Sequence, residues 1–270
     1  MTYPGDLLGD IELLKYLADL SDEISSARFL AQDLKIESKP DLSPVTDADR
    51  AVEAKIREVL KAQRPNDKIV GEEFGSAEDI QVMDRYWVID PIDGTKNFLR
   101  GLPIWATLIG LVHRNENGQD RVIAGMVSSP ALFRRWYAAE GFGAFTEVNS
   151  GAAIQIKASN VKEISDASIS FSDLVGWGPR KNSYLAFMDK AWRARGIGDF
   201  WSHMLVAEGA VDVAIEPKLA IWDMAALDIV VREAGGRFTN TAGVDGSLGG
   251  SGLSTNSVIH QKIVDKLNGR

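Results

Sequence analysis

Residues 87 to 98 read WVIDPIDGTKNF, and this stretch narrows what the chain can fold into. Trp87-Val88-Ile89 is an apolar run with the pattern of a buried strand. It ends in two aspartates, Asp90 and Asp93, spaced by three. Burying an unpaired carboxylate costs several kcal/mol, so two at the mouth of a core strand need a compensating partner.

The chain supplies more acids at element ends. Glu72 and Glu73 follow a short strand ending at Val70, and Asp223 opens a helix in IWDMAALDIVVREAGG. Each site alone has an ordinary reading: a solvated turn for GEE, a turn for Asp-Pro and Asp-Gly, a dipole partner for Asp223. Carboxylates converging from separate strand ends and a helix start are also what a hard divalent cation needs, Mg²⁺ taking about six oxygens from carboxylates, water and phosphate. Gly94-Thr95 adds close backbone approach and N–H groups suited to a phosphate, with a hydroxyl that can orient a water.

Bulk properties prune the alternatives. At 270 residues and 45% apolar, the chain can bury one large domain, residues 1–270. Its halves are about 1–150 and about 151–270, with the texture changing near 149–160. There is no run of 18 apolar residues, and the start MTYPGDLLGDIELLKYL lacks the basic-then-apolar order of a signal peptide, so a cytoplasmic enzyme is expected. The absence of cysteine excludes disulfides, zinc-thiolate sites and cysteine nucleophiles. A net charge of −8 argues against nucleic-acid binding, and it repels an anionic substrate unless metal neutralises some of the acids.

Other phosphatase chemistries fit poorly. Aspartyl-phosphate hydrolases carry DxDGT, with the acids two apart, whereas D-P-I-D spaces them by three. In a strand only even spacing puts both side chains on one face, so this offset calls for a turn, and Pro91 suits one. His113, His203 and His260 all lie outside the acidic motifs; His203, in a helix with apolar neighbours, reads as structural. Metal-activated water remains.

Periodicity predicts a helix over 6–31, a loop over 38–50 and a helix from Thr46, with Asp49 as a capping-box partner, to Pro65. Asp47 and Asp49 can both be simple helix-dipole residues. Strands are expected at 69–70, 87–89, 104–112, 121–129 and 133–139, with a turn and return strand at 141–145. The second half should hold a strand at 167–172, helices at 181–193 and 201–209, a strand at 211–215 and a helix at 222–234 closed by Gly235-Gly236. The class is α/β (α+β) and layered.

GEEFG (71–75), WVIDPIDGTKNF (87–98) and WDMAALDIVVREAGG (222–236) resemble the signatures of the inositol monophosphatase-like family of magnesium-dependent phosphatases. KPDLSPVTDADRAVE (39–53), TKNFLRGLPIWA (95–106) and GDFWSHMLVAEGAVD (198–212) are similar to its histidinol-phosphatase branch. The resemblance implies an αβαβα sandwich, commonly dimeric, with about two to three Mg²⁺ ions. It implies that Glu72, Asp90 and the Ile92 carbonyl hold the first ion, and Asp90, Asp93 and Asp223 the second. Glu72 would also serve a third ion and help activate the attacking water, assisted by a Thr95–Asp47 hydroxyl-carboxylate pair. The N–H groups of Gly94 and Thr95, beside Asp93, would grip the phosphate. On the leaving-group side Asp199 and Glu216 are the candidates, with Asp199 alternatively an N-cap for 201–209, and Arg195 is a phosphate-side or positioning candidate. Histidinol phosphate, which carries an ammonium and an imidazole, suits extra carboxylates. Inositol 1-phosphate or a broad range of sugar phosphates is the alternative, and an inactive metal-binding scaffold is a third reading that the intact acidic set disfavours.

Overall fold

The computed structural model describes residues 6–76 and 84–269. The chain opens with helix α1 (Leu7–Arg28), a hairpin of β1 (Ile36–Ser38) and β2 (Pro44–Thr46), and helix α2 (Asp47–Gln63). Strands β3 (Lys68–Gly71) and β4 (Arg85–Asp93) follow, then the single-turn helix α3 (Thr95–Leu99). A meander of β5 (Ala106–Arg114), β6 (Asp120–Ser129), β7 (Arg134–Ala139), β8 (Gly143–Val148) and β9 (Ile154–Ile156) completes a seven-stranded sheet in sequential order. It is antiparallel apart from the β3–β4 pair.

The remainder comprises β10 (Ser168–Phe171), α4 (Lys181–Met188), β11 (Arg193–Gly196), α5 (Asp199–Ala207), β12 (Val213–Glu216), α6 (Ile221–Glu233), β13 (Gly236–Thr239), β14 (Gly252–Asn256) and α7 (His260–Leu267). Its five strands lie in the order β11-β10-β12-β14-β13.

Period-two alternation along β4 builds the layers. Trp87 and Ile89 face α1 and α2 through Leu14, Leu17, Val52 and Ile56. Tyr86 and Val88 face α5 and α6 through Phe200, Met204, Ala225 and Ile229. Phe238 of β13 meets that same cluster, while Ile169, Val213 and Leu253 pack the other face of the smaller sheet against α4 and α7. The order is helix, sheet, helix, sheet, helix, the layered arrangement the sequence led us to expect. Both faces of β4 being covered explains its unbroken apolar run.

Three local expectations change. The segment 38–50 is a loop only over 39–43: Pro44–Thr46 forms the second strand of the β1–β2 hairpin, and α2 then starts at Asp47 with Thr46 as its cap, as expected. The helix expected over 181–193 stops at Met188, because Arg193–Gly196 turns back to pair with β10 as an edge strand. Strand β4 runs on through Asp93 rather than ending at Ile89. Among the described residues no helix is long and apolar enough to cross a membrane.

Candidate active site

The odd spacing of Asp90 and Asp93 is resolved by a β-bulge, not by a turn. Opposite Asp90 on β5 lies Leu108, and opposite Asp93 lies Ala106, so three steps on β4 match two on its neighbour. The extra residue returns Asp93 to the face of Asp90, which alternation places with Tyr86 and Val88 toward α6. Ile92 N–H donates to Asp90 Oδ1 at 3.0 Å, and Thr107 Oγ1 donates to the Pro91 carbonyl at 2.8 Å, fixing the bulge.

On the facing helix Asp223 sits in the first turn of α6, where its Oδ2 accepts the Ala220 N–H at 2.7 Å. Single carboxylate oxygens of Asp90, Asp93 and Asp223 lie within 4.8 Å of one another. Helix α5 braces the cluster from a second side, Phe200 N–H donating to Asp93 Oδ2 at 2.7 Å.

Glu72 comes in beside β4, its N–H on the Ile89 carbonyl at 3.1 Å. Its loop is held by Glu53 of α2, a fully buried acid absent from the sequence-based site. The Glu53 carboxylate accepts the N–H groups of Glu73 (2.7 Å) and Phe74 (3.2 Å) and pairs with Arg57 at 2.8 Å. A Cβ at Gly71 would collide with that carboxylate, which is why GEE begins with glycine. Lys39 was equally hidden. From beyond β1 its ammonium reaches Glu72 at 2.7 Å and Glu73 at 2.6 Å.

Thr95 Oγ1 donates to the Ile92 carbonyl at 3.0 Å and lies 3.4 Å from Asp49 Oδ1. The expected partner was Asp47, and that assignment is corrected. Asp47 is turned away into an ion pair with Arg28 at 2.9 Å, whereas Asp49 is buried and completes the capping box with Thr46. Gly94 has φ 84° and caps α3, and a Cβ there would press on the Ile104 carbonyl and approach Asp199. Only glycine suits both demands.

Asp199 and Glu216 both line a cavity of about 170 Å³ with Asp93, Phe200, Leu219, Asp223 and Leu227. Asp199 does not cap its helix: with φ 49° its side chain accepts the Asn97 amide at 2.7 Å instead. Arg195 is not brought in. It is exposed on edge strand β11, its guanidinium on the neighbouring Ala194 carbonyl. Two larger grooves elsewhere are lined by arginine–carboxylate pairs, such as Asp22–Arg135 and Asp228–Arg232, that already satisfy each other.

Electrostatics identify what the cluster wants. Burial first, and then the charges of Glu72, Asp93 and Asp223, push Asp90 well above the ordinary carboxylate range. Burial, then Asp199 and Asp223, do the same to Asp93. Asp223 is pushed up to about 7 by burial, the Ala220 N–H opposing and Glu72 and Glu216 adding. Asp199 rises to about 6 through burial and then Glu216. Glu73 rises to about 7 through burial, with Lys39 opposing. An all-oxygen donor set that retains protons near neutrality fits a hard divalent cation, which would displace them.

The sign gives a test. These groups have folded pKa values above their unfolded ones, so without metal their contribution to stability is complete below about pH 4 and is lost as pH rises through 6 to 7. Added Mg²⁺ should therefore raise the melting temperature at least about twice as much at pH 8 as at pH 5.5, since it relieves a repulsion absent from the protonated cluster. Thermal unfolding with and without Mg²⁺ at both pH values measures this; an equal or larger shift at pH 5.5 sinks it.

Comparison with known proteins finds relatives along nearly the whole chain. The model of the inositol monophosphatase family matches residues 10–269. A histidinol-phosphatase of Mycobacterium tuberculosis is 51% identical over 261 residues, covering 96% of this chain and 98% of its own. A histidinol-phosphatase of Streptomyces coelicolor is 47% identical, over 98% and 99% of the two chains. Among solved structures, an inositol monophosphatase from Zymomonas mobilis superposes with a TM-score of 0.82 at 27% identity, over 98% of this chain and 99% of that one.

Proposed function

The chain belongs to the inositol monophosphatase family, and from that premise we propose that it is a Mg²⁺-dependent phosphomonoesterase releasing phosphate from L-histidinol phosphate. The observation that carries the substrate is the wall opposite the bulge: Asp199 and Glu216 place two further carboxylates beside the acidic cluster, around an otherwise apolar Leu219 and Leu227. A leaving group bearing an ammonium and an imidazole is matched by two carboxylates, and charge-assisted hydrogen bonds to them are about twice as strong as a polyol's neutral ones.

The residues divide the work. Asp90, Asp93, Asp223, Glu72 and the Ile92 carbonyl are the donors for Mg²⁺. When bound there, the metal draws charge from the phosphoryl oxygens and lowers the pKa of the attacking water. The N–H groups at Gly94 and Thr95, where α3 begins, receive the phosphate. Thr95 Oγ1 orients the water and passes its proton toward Asp49 Oδ1, an acid whose pKa burial raises, with the Thr46 hydrogen bonds opposing and the Glu72 charge adding. Phe200 N–H keeps one oxygen of Asp93 engaged, so its other oxygen has a fixed direction. The same reading expects a homodimer in the cytoplasm.

Phosphate release from a panel of substrates tests the reading. With Mg²⁺, kcat/KM for histidinol phosphate should exceed that for inositol 1-phosphate and fructose 1,6-bisphosphate by at least about 100-fold, since buried groups paired only by the right substrate can discriminate by about 10⁴-fold or more. Inositol phosphate turned over as fast would replace histidinol phosphate as the substrate.

A further inference from the structure

We propose that His203 is a positioning residue of the leaving-group pocket, its Nε2–H holding one oxygen of Glu216 so that the other is aimed at the cationic part of the substrate; this rests on the substrate reading above. His203 lies on α5 four residues after Asp199, so the two share one helix face, and that helix presents a carboxylate to the cavity and an imidazole behind the second carboxylate. The ring is fully buried. Its Nδ1 is 2.6 Å from Ser254 Oγ, and its Nε2, with no hydrogen-bond partner among the described residues, lies 3.4 Å from Glu216 Oε1.

The pairing fixes the tautomer. A neutral imidazole has one donor nitrogen and one acceptor. With the proton on Nδ1, the Nε2 lone pair would point at a carboxylate oxygen in a buried site, which is repulsive. With Ser254 Oγ–H donating to Nδ1, the proton sits on Nε2, the nitrogen 3.4 Å from Glu216 Oε1, where a small shift of either side chain closes the hydrogen bond. The hydroxyl is therefore the element that selects a donor for Glu216.

The surroundings keep the ring in place. Gly252 is the cross-strand partner of Glu216, and a Cβ there would strike Leu219 and come within 3.5 Å of His203 Cε1. The ring also leans on Phe238, with centroids 5.8 Å apart, and a Cβ at Gly252 would meet Phe238 Cζ at 3.5 Å as well. Glycine on β14 makes the room for both rings.

The consequence is a KM effect confined to substrates that use Glu216. His203→Leu should raise KM for histidinol phosphate about tenfold, the scale of a hydrogen bond to a charged group, with kcat within about threefold. KM for 2-glycerol phosphate, which carries no cation, should change less than about twofold. His203→Gln, whose amide nitrogen falls near Nε2, should bring KM back to within about threefold of the parent. Ser254→Ala, a mild change that leaves the ring in place, should raise KM for histidinol phosphate several-fold. Independently, ¹⁵N shifts of histidine-labelled protein should show His203 protonated at Nε2, and Ser254→Ala should shift that signal toward the other tautomer. An equal KM rise for both substrates, a loss confined to kcat, or an Nδ1-protonated ring in the parent overturns the proposal. If the parent protein does not turn over histidinol phosphate, the substrate reading and the aiming role fall together, while the tautomer still reports whether His203 holds Glu216.

Discussion

Asp93→Asn is expected to lower turnover of histidinol phosphate by about 10³-fold, or about 4 kcal/mol of barrier, while raising the melting temperature of the metal-free protein. The two effects have one cause. Asp93 is a partly buried acid whose ionisation is opposed by desolvation and by the charges of Asp199 and Asp223. Asparagine has nearly the same shape, and its carbonyl oxygen can still accept the Phe200 N–H, so the bulge and α5 keep their contact. What disappears is one negative charge from a cluster short of cations. Without metal at pH 8 that loss relieves repulsion, and relief of about 1 kcal/mol is worth about 2–4 °C in a chain of this size. With metal it removes a donor and the charge that holds it. A destabilised fold cannot explain a variant that melts higher and works a thousandfold slower, which separates a site effect from a folding effect. Thermal unfolding in EDTA and phosphate release in Mg²⁺ measure the two arms; activity within tenfold of the parent would remove Asp93 from the metal-binding set.

The sequence carried the acids of the centre but not what orients them. Asp90, Asp93 and Asp223 stand out because an acid at the end of an apolar run has few other reasons to be there. Their spacing looked like a turn because alternation forbids an offset of three on one face; the bulge that reconciles them depends on register against β5, a pairing no local pattern reveals. Glu53 sits in the stripe of α2 beside Val52, Ile56 and Leu60, an anomaly visible in the sequence, yet its partners lie about twenty residues away in the GEE loop. Lys39 reaches Glu72 from 33 residues earlier, across a hairpin read as a loop. Arg195, a phosphate-side or positioning candidate in the sequence, is not among the residues the fold brings to the cavity. Pairing of β11 at the sheet edge instead leaves it exposed. His203 read as a structural histidine, and it is buried as such a residue would be; only the fold puts Glu216 against it.

The sharpest of these differences is a shift of two residues at the start of α2, and it makes a paired prediction. Asp49→Asn should lower kcat by about 10²-fold or more, the usual size of a lost proton acceptor, whereas Asp47→Asn should leave kcat within about threefold. Both acids occupy the first turn, where either complements the helix dipole, so sequence position does not distinguish them. Geometry does. One oxygen of Asp49 takes the N–H and hydroxyl of Thr46, and the other faces Thr95 Oγ1. Asparagine can keep an oxygen toward Thr46, but then an amide that cannot accept a proton faces Thr95. The capping loss is about 0.5–2 kcal/mol, which a chain of this size tolerates while folded. Among the described residues the Asp47 side chain holds only Arg28, in a partly exposed ion pair worth about 0–1 kcal/mol. Steady-state rates of the two variants, with their melting temperatures as the control for folding, decide the matter. A fall in kcat for Asp47→Asn with Asp49→Asn unaffected would return the proton-accepting role to Asp47 and leave Thr95 serving only the Ile92 carbonyl.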